Sequence, residues 1–262
     1  MKKFFAMMTM ILAAASMSGC NEALVEVTEG VEEDYSTVSN QESEDVITIE
    51  EKSLETDVSD TEVIAVDEQI DIIWDNAAMW LADSEAAMYA VTDLDGNGRL
   101  EILSSVPGND VDAENSIYEV NEAGSGLMKH TLESNLHPIP AISCVNEMDR
   151  FKSEDSILYY FVAPSESEGN TYKLHVSFSI GDGSSELTFV GEEIMSEGEN
   201  GKSTETYINR VYDEVDKDGM LAGISEWFEG MTVSKVSIGW DALAGDSLRE
   251  KLLNSYNVFM GN

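Results

Sequence analysis

The sequence predicts an α+β fold: a single domain with an N-terminal helix, a mainly antiparallel sheet and a C-terminal helix. Three observations carry that expectation. An apolar stripe near residue 70 has helical spacing, short β-branched and aromatic runs follow it between Gly, Asn, Asp and Ser punctuation, and a helical pattern returns after residue 247. Strands in succession with helices at both ends lack the alternating units of a doubly wound sheet. That pattern speaks against a two-lobed solute receptor.

In DEQIDIIWDNAAMWLAD (67–83), Ile70, Ile73, Trp74, Ala77 and the pair Trp80-Leu81 recur at i, i+3, i+4 and i+7. Both tryptophans are expected in the core rather than on a sugar-binding platform. The strand candidates are AMYAVTD (87–93), RLEILSSV (99–106), SIYEVNE (116–122), SILYYFVAP (156–164), TYKLHVSFSI (171–180), ELTFVGEEIM (186–195) and TETYINRVY (204–212). Leu174, Val176, Phe178 and Ile180 alternate with polar residues, so one sheet face is expected to meet water. SEWFEGM (225–231) reads as a short helix, VSKVSIGW (233–240) as a strand and GDSLREKLLNSYNVF (245–259) as the closing helix. Ser247 and Glu250 have capping-box spacing at its start.

The first residues have the anatomy of a secretory signal: a basic MKK, the apolar FFAMMTMILAAA and the small-residue SMSGC. The apolar stretch is too short for a permanent membrane span. Met17-Ser18-Gly19-Cys20 resembles the lipobox of bacterial lipoproteins, with Met where Leu is most usual. The resemblance implies a signal peptide over 1–19 and lipid on Cys20, so the chain would be anchored at the extracytoplasmic face of the cell membrane. Each buried CH₂ of such a lipid adds about 0.8 kcal/mol of anchoring. Residues 20–66 are rich in Glu, Asp, Ser and Thr, carry one Lys and no Pro, and read as a self-repelling disordered tether. The globular domain is expected over 67–262. With Cys20 lipidated, Cys144 has no disulfide partner, and its apolar neighbours suggest a small buried residue.

The formal net charge is −38. Such a surface repels nucleic acid and anionic lipid, and divalent cations are its natural companions. The most specific acidic cluster is YAVTDLDGNGRLEILSS (89–105). Numbered from Asp93, oxygen ligands fall at positions 1 (Asp93), 3 (Asp95), 5 (Asn97) and 9 (Glu101). Gly98 at position 6 permits a sharp turn, and Arg99 at position 7 offers its backbone carbonyl. Alternating oxygens of this kind suit the roughly six to eight ligands that Ca²⁺ takes. Position 12 is Ser104 rather than the Glu of an EF-hand, and the flanks read as strands. The loop therefore resembles the shorter DxDxDG calcium loops that join strands in integrin-type FG-GAP repeats. It also resembles a loop in uncharacterised lipoproteins of anaerobic Firmicutes, where DLDxNGRLEI follows a Trp-containing helix. That resemblance implies an exported calcium-loop protein and no particular activity. A closed cage of Asp, Asn and Glu would hold calcium structurally, with a dissociation constant of about 10⁻⁴–10⁻³ M. The alternative is a metal-free hairpin, because turns favour the same residues. A second acidic stretch, DEVDKDGM (213–220), lacks a carboxylate at position 9 and reads as a hairpin turn.

Catalytic signatures are sparse. GDSL (245–248) resembles the nucleophile block of GDSL esterases, yet no His follows it. His130, His137 and His175 have no zinc-ligand spacing, and no glycine-rich phosphate loop precedes a Lys. The expected function is a calcium-stabilised binding or scaffolding domain on the cell surface, with an envelope protein or polysaccharide as partner and no nucleic acid. The rival expectation is a hydrolase of cell-wall or dietary polymers.

Overall fold

The computed structural model describes residues 64–108, 112–167, 169–181, 183–198, 202–242 and 247–261. The expected signal peptide, Cys20, nearly all of the expected tether and the Gly-Asp of GDSL lie outside the described residues. The fold is α+β and mostly antiparallel. Helix α1 (Val66–Asp75) buries Gln69, Ile70 and Ile73, and Asp67 and Glu68 in its first turn oppose the helix dipole favourably. It stops where the Asn76 side chain donates to the Ile72 carbonyl (2.8 Å), and a one-turn helix α2 (Ala77–Trp80) follows. The apolar stripe is therefore broken at Asn76. Trp80 is buried, with its indole N–H on the Ile73 carbonyl (2.8 Å). Trp74, expected in the core, is 46 % exposed because it lies off the Ile70–Ile73 face.

Two sheets follow where the sequence suggested one. The smaller has the order β1 (Met88–Thr92), β2 (Glu101–Val106), β3 (Glu114–Val120), β4 (Leu127–Lys129), all antiparallel. The larger uses β5 (Thr131–Ser134), β6 (Glu147–Lys152), β7 (Ile157–Ser167), β8 (Asn170–Gly181), β9 (Ser184–Glu197), β10 (Ser203–Asn209), β11 (Glu214–Val215) and β12 (Thr232–Ser237). Its order is β11-β10-β9-β8-β7-β6-β12, and β5 joins β9 in parallel. Helix α3 (Lys217–Trp227) lies between β11 and β12 in the chain, and α4 (Leu248–Phe259) closes it.

These elements stack in four layers, and each apolar face has a partner. Tyr89, Val91, Ile102, Tyr118 and Val120 of the small sheet pack on Ile70 and Ile73 of α1 and Leu252 of α4. The opposite face of that sheet, with Ala90, Leu103 and Ile117, packs on Tyr159, Phe161, Val176, Phe178 and Leu187 of the large sheet. The far face of the large sheet is covered by Met220, Ile224 and Phe228 on and just after α3. The expectation of a wet face on β8 holds only at its start, where Thr171 and Lys173 are exposed; in its middle His175 and Ser177 are 4 % and 2 % exposed.

Three other expectations are corrected. The acidic stretch 213–220 does not form a hairpin: Asp216 caps α3, accepting from the Gly219 N–H (2.7 Å). The Ser247 side chain makes no cap hydrogen bond, so the capping box does not form. Cys144 is exposed at the end of the 3-10 turn Ile142–Cys144, where Ile142 takes the core position instead.

Candidate metal centre

The acidic loop joins β1 to β2. Because Thr92 pairs with Glu101 in register, the strands bring both ends of the loop together. Gly96 and Gly98 have φ of 73° and 83°, the left-handed region that glycine enters without a Cβ penalty. The loop is also tied to α1. Buried Gln69 donates from Nε2 to the Gly98 carbonyl (2.8 Å) and accepts the Leu100 N–H at Oε1 (2.7 Å). On the other side Tyr159 of β7 donates its hydroxyl to the Leu94 carbonyl. The loop is thus held by a helix and by the large sheet.

Asp93, Asp95 and Glu101 each place a carboxylate oxygen within 4.8 Å of the others, so the three together could hold a metal ion. Glu101 is fully buried. Its Oε2 accepts from the Thr92 hydroxyl and the Leu94 N–H, both at 2.9 Å, whereas Oε1 is buried with no hydrogen-bond partner. A buried carboxylate oxygen without a donor or cation is costly. Burial pushes the Glu101 carboxyl up to about 8, and burial also raises Asp93 and Asp95 above the ordinary carboxylate range. Arg150 partly offsets the charge of Asp93 and Arg99 that of Asp95, and a divalent ion among the three would add the positive charge that buried Glu101 lacks.

Asn97 turns its amide to other partners, and Arg99, expected to offer its backbone carbonyl, also uses its side chain here. Asn97 donates from Nδ2 to Asp95 Oδ2 (2.7 Å) and to Glu119 Oε1 (2.6 Å), while its Oδ1 accepts the Arg99 N–H (2.7 Å). The Arg99 guanidinium binds Glu119 Oε1 through Nε (2.8 Å) and a terminal nitrogen (2.7 Å). With the Asn97 amide nitrogen engaged by Asp95 and Glu119, the carboxylates that remain clustered are those of Asp93, Asp95 and Glu101, fewer groups than the roughly six to eight oxygens that calcium takes.

Glu119 is the partner that the sequence did not single out. It lies directly across from Glu101 on β3, and like charges in that position destabilise a sheet. The Arg99 guanidinium neutralises it, and Asn97 and His130 hydrogen-bond to it, with His130 Nε2 3.2 Å from Glu119 Oε2. Burial raises the Glu119 carboxyl, but the hydrogen bonds from His130 and Asn97 and the Arg99 charge outweigh it and hold the group below its usual range. Of two facing glutamates, one therefore has its counter-charge built into the protein. Glu101 does not.

Elsewhere, the Tyr160 hydroxyl is 2.5 Å from His175 Nδ1, and His175 Nε2 is 3.4 Å from Glu193 Oε1. Burial lowers His175 and raises Tyr160, which keeps both neutral under the cover of α3. His137 is exposed beside Asp112. No family model, curated protein or solved structure matches the chain, so the functional reading rests on this geometry.

Proposed function

We propose that the protein is a cell-surface lipoprotein, anchored through Cys20, whose domain is stabilised by calcium and binds an envelope protein or polysaccharide. The observation that carries the calcium reading is the orphaned, fully buried Oε1 of Glu101 beside Asp93 and Asp95. Oxygen-only donors favour a hard cation, and carboxylates without His or Cys favour calcium over zinc. The ion would clamp β1 to β2 at the end of the contact between the sheets, so its first role is to rigidify the domain. No role in catalysis is assigned to it.

The test is calorimetric titration of the full chain with calcium, paired with thermal melts in chelator and in millimolar calcium. Binding of one ion and a rise in Tm, both lost in Asp93→Ala, are expected. An unchanged Tm with no heat of binding would reduce the loop to a metal-free turn.

A further inference from the structure

The metal loop borders a depression of about 440 Å³, within the roughly 300–1,000 Å³ range of small-molecule sites. Asp95 belongs to both: it is one of the three clustered carboxylates, and it lines the depression. The facing wall is the turn between β6 and β7. A Cβ placed on Gly96 would come within 3.7 Å of Ile157 Cδ1, so the loop rests directly on that turn. Ser153, Ser156, Ser179, Lys152 and Ile157 line the depression, and the Ser153 and Ser156 hydroxyls lie 3.0 Å apart.

The carboxylate cluster faces two ways. Glu101 closes the buried side at 0 % exposure, while Asp95 is half-buried and meets the depression. With the Asn97 amide turned to Glu119, an ion held by the three carboxylates would have room for further oxygens, and the Asp95 side is where an outside ligand could reach it. Glu154 and Asp155 on the same rim, together with a net charge of −38, repel anions. A neutral ligand rich in hydroxyls meets donors and acceptors of both kinds there, with an apolar patch for one ring face.

We infer that this depression binds a neutral hexose, with two neighbouring sugar hydroxyls completing the coordination of the ion held by Asp93, Asp95 and Glu101. The inference rests on the calcium reading above and names the ligand class of the same site. The metal supplies the bond to the diol, and Ser156, Ser179 and Lys152 orient the rest of the ring.

The experiment is calorimetry on the full chain with methyl α-mannopyranoside and methyl β-galactopyranoside, in millimolar calcium and in chelator. Inorganic phosphate serves as the anionic comparison. At least one hexoside is expected to bind in calcium and not in chelator. Ser156→Trp, which fills the depression, should weaken hexoside binding by about tenfold or more. The same variant should keep its calcium affinity within about twofold, which also shows that its fold is intact. Calcium binding without any hexoside binding would overturn this inference and leave the calcium reading standing. Phosphate binding in place of hexoside, or hexoside binding that survives chelation, would overturn it too. Failure of calcium itself to bind would remove both.

Discussion

At the scale of single residues, Glu101 makes the sharpest prediction. Its carboxyl titrates at about 8 in the fold against an ordinary 4.5. A raised value means the metal-free fold prefers the protonated form. Its contribution is therefore fully present below about pH 4.5 and is lost as pH rises through about 8, at about 1.4 kcal/mol for each unit of displacement. Asp93 and Asp95 are raised as well and act in the same direction. Glu119 is lowered, so its contribution fails only on acidification. Melts in chelator across this window should show Tm falling toward alkaline pH. Glu101→Gln should flatten that slope, raise the metal-free Tm at neutral pH and abolish the response to calcium. A wild-type Tm in chelator that is flat over the window would contradict the burial argument. Gln69 tests the support of the loop: Gln69→Ala removes both of its bonds to the Gly98 carbonyl and the Leu100 N–H. Loss of such outer support should weaken calcium binding by about 10–100-fold, read by titration. The alternating Asp93, Asp95 and Glu101 were legible in the sequence because ligand spacing within a loop is local. Glu119, His130 and Gln69 were not, since each reaches the loop from another element and none carries a local signature.

At the scale of elements, the same distinction separates what could be read from what could not. The β1 to β3 and β7 to β10 runs were legible through their β-branched and aromatic residues. The strands missed, Leu127–Lys129, Thr131–Ser134, Glu147–Lys152 and Glu214–Val215, are short or charged and depend on neighbours for their pairing. That His175 in the middle of β8 would be covered was hidden too, because it stacks on Tyr160 of β7, which in turn meets Phe228 just after α3. Helix α4 shows how such distant contacts hold. Ser255 accepts the Val91 N–H (2.9 Å) and donates to the Gly239 carbonyl, which joins the outer edge of β1, where Tyr89 also bridges Asp241, to the segment after β12. At Gly239 a Cβ would lie 2.7 Å from the Ser255 carbonyl oxygen, so only glycine permits this approach. Ser255→Ala leaves a buried N–H unpaired and should cost about 1–3 kcal/mol in urea unfolding. Leu252→Ala, beside Ile70 and Ile73, should cost about 2–5 kcal/mol. If both variants unfold at the wild-type midpoint, α4 does not contribute to the core as the packing requires.

At the scale of the whole molecule, a net charge of −38 means that any cation should stabilise the fold to some extent. A rise in Tm with calcium is therefore not by itself a sign of a site. The two causes separate by their response to salt. Screening acts over the Debye length, about 8 Å at physiological ionic strength, and saturates as salt is added. Binding at Glu101 occurs at a buried group that salt screens far less, and it follows mass action: free calcium at a hundred times Kd adds about 2.7 kcal/mol. In a high-salt background, calcium should thus still raise the Tm of the wild type, and magnesium should do so less because it demands tighter octahedral geometry. Asp93→Ala and Glu101→Gln should keep the response to salt and lose the response to calcium. If sodium chloride removes the calcium effect in the wild type, the acidic surface rather than the loop is what calcium relieves. The proposed anchor adds an independent readout on the same chain. Wild type should partition into detergent and take up labelled palmitate in a bacterial host, and Cys20→Ala should do neither while keeping its calcium-dependent Tm, because the lipid and the loop act on different parts of the molecule.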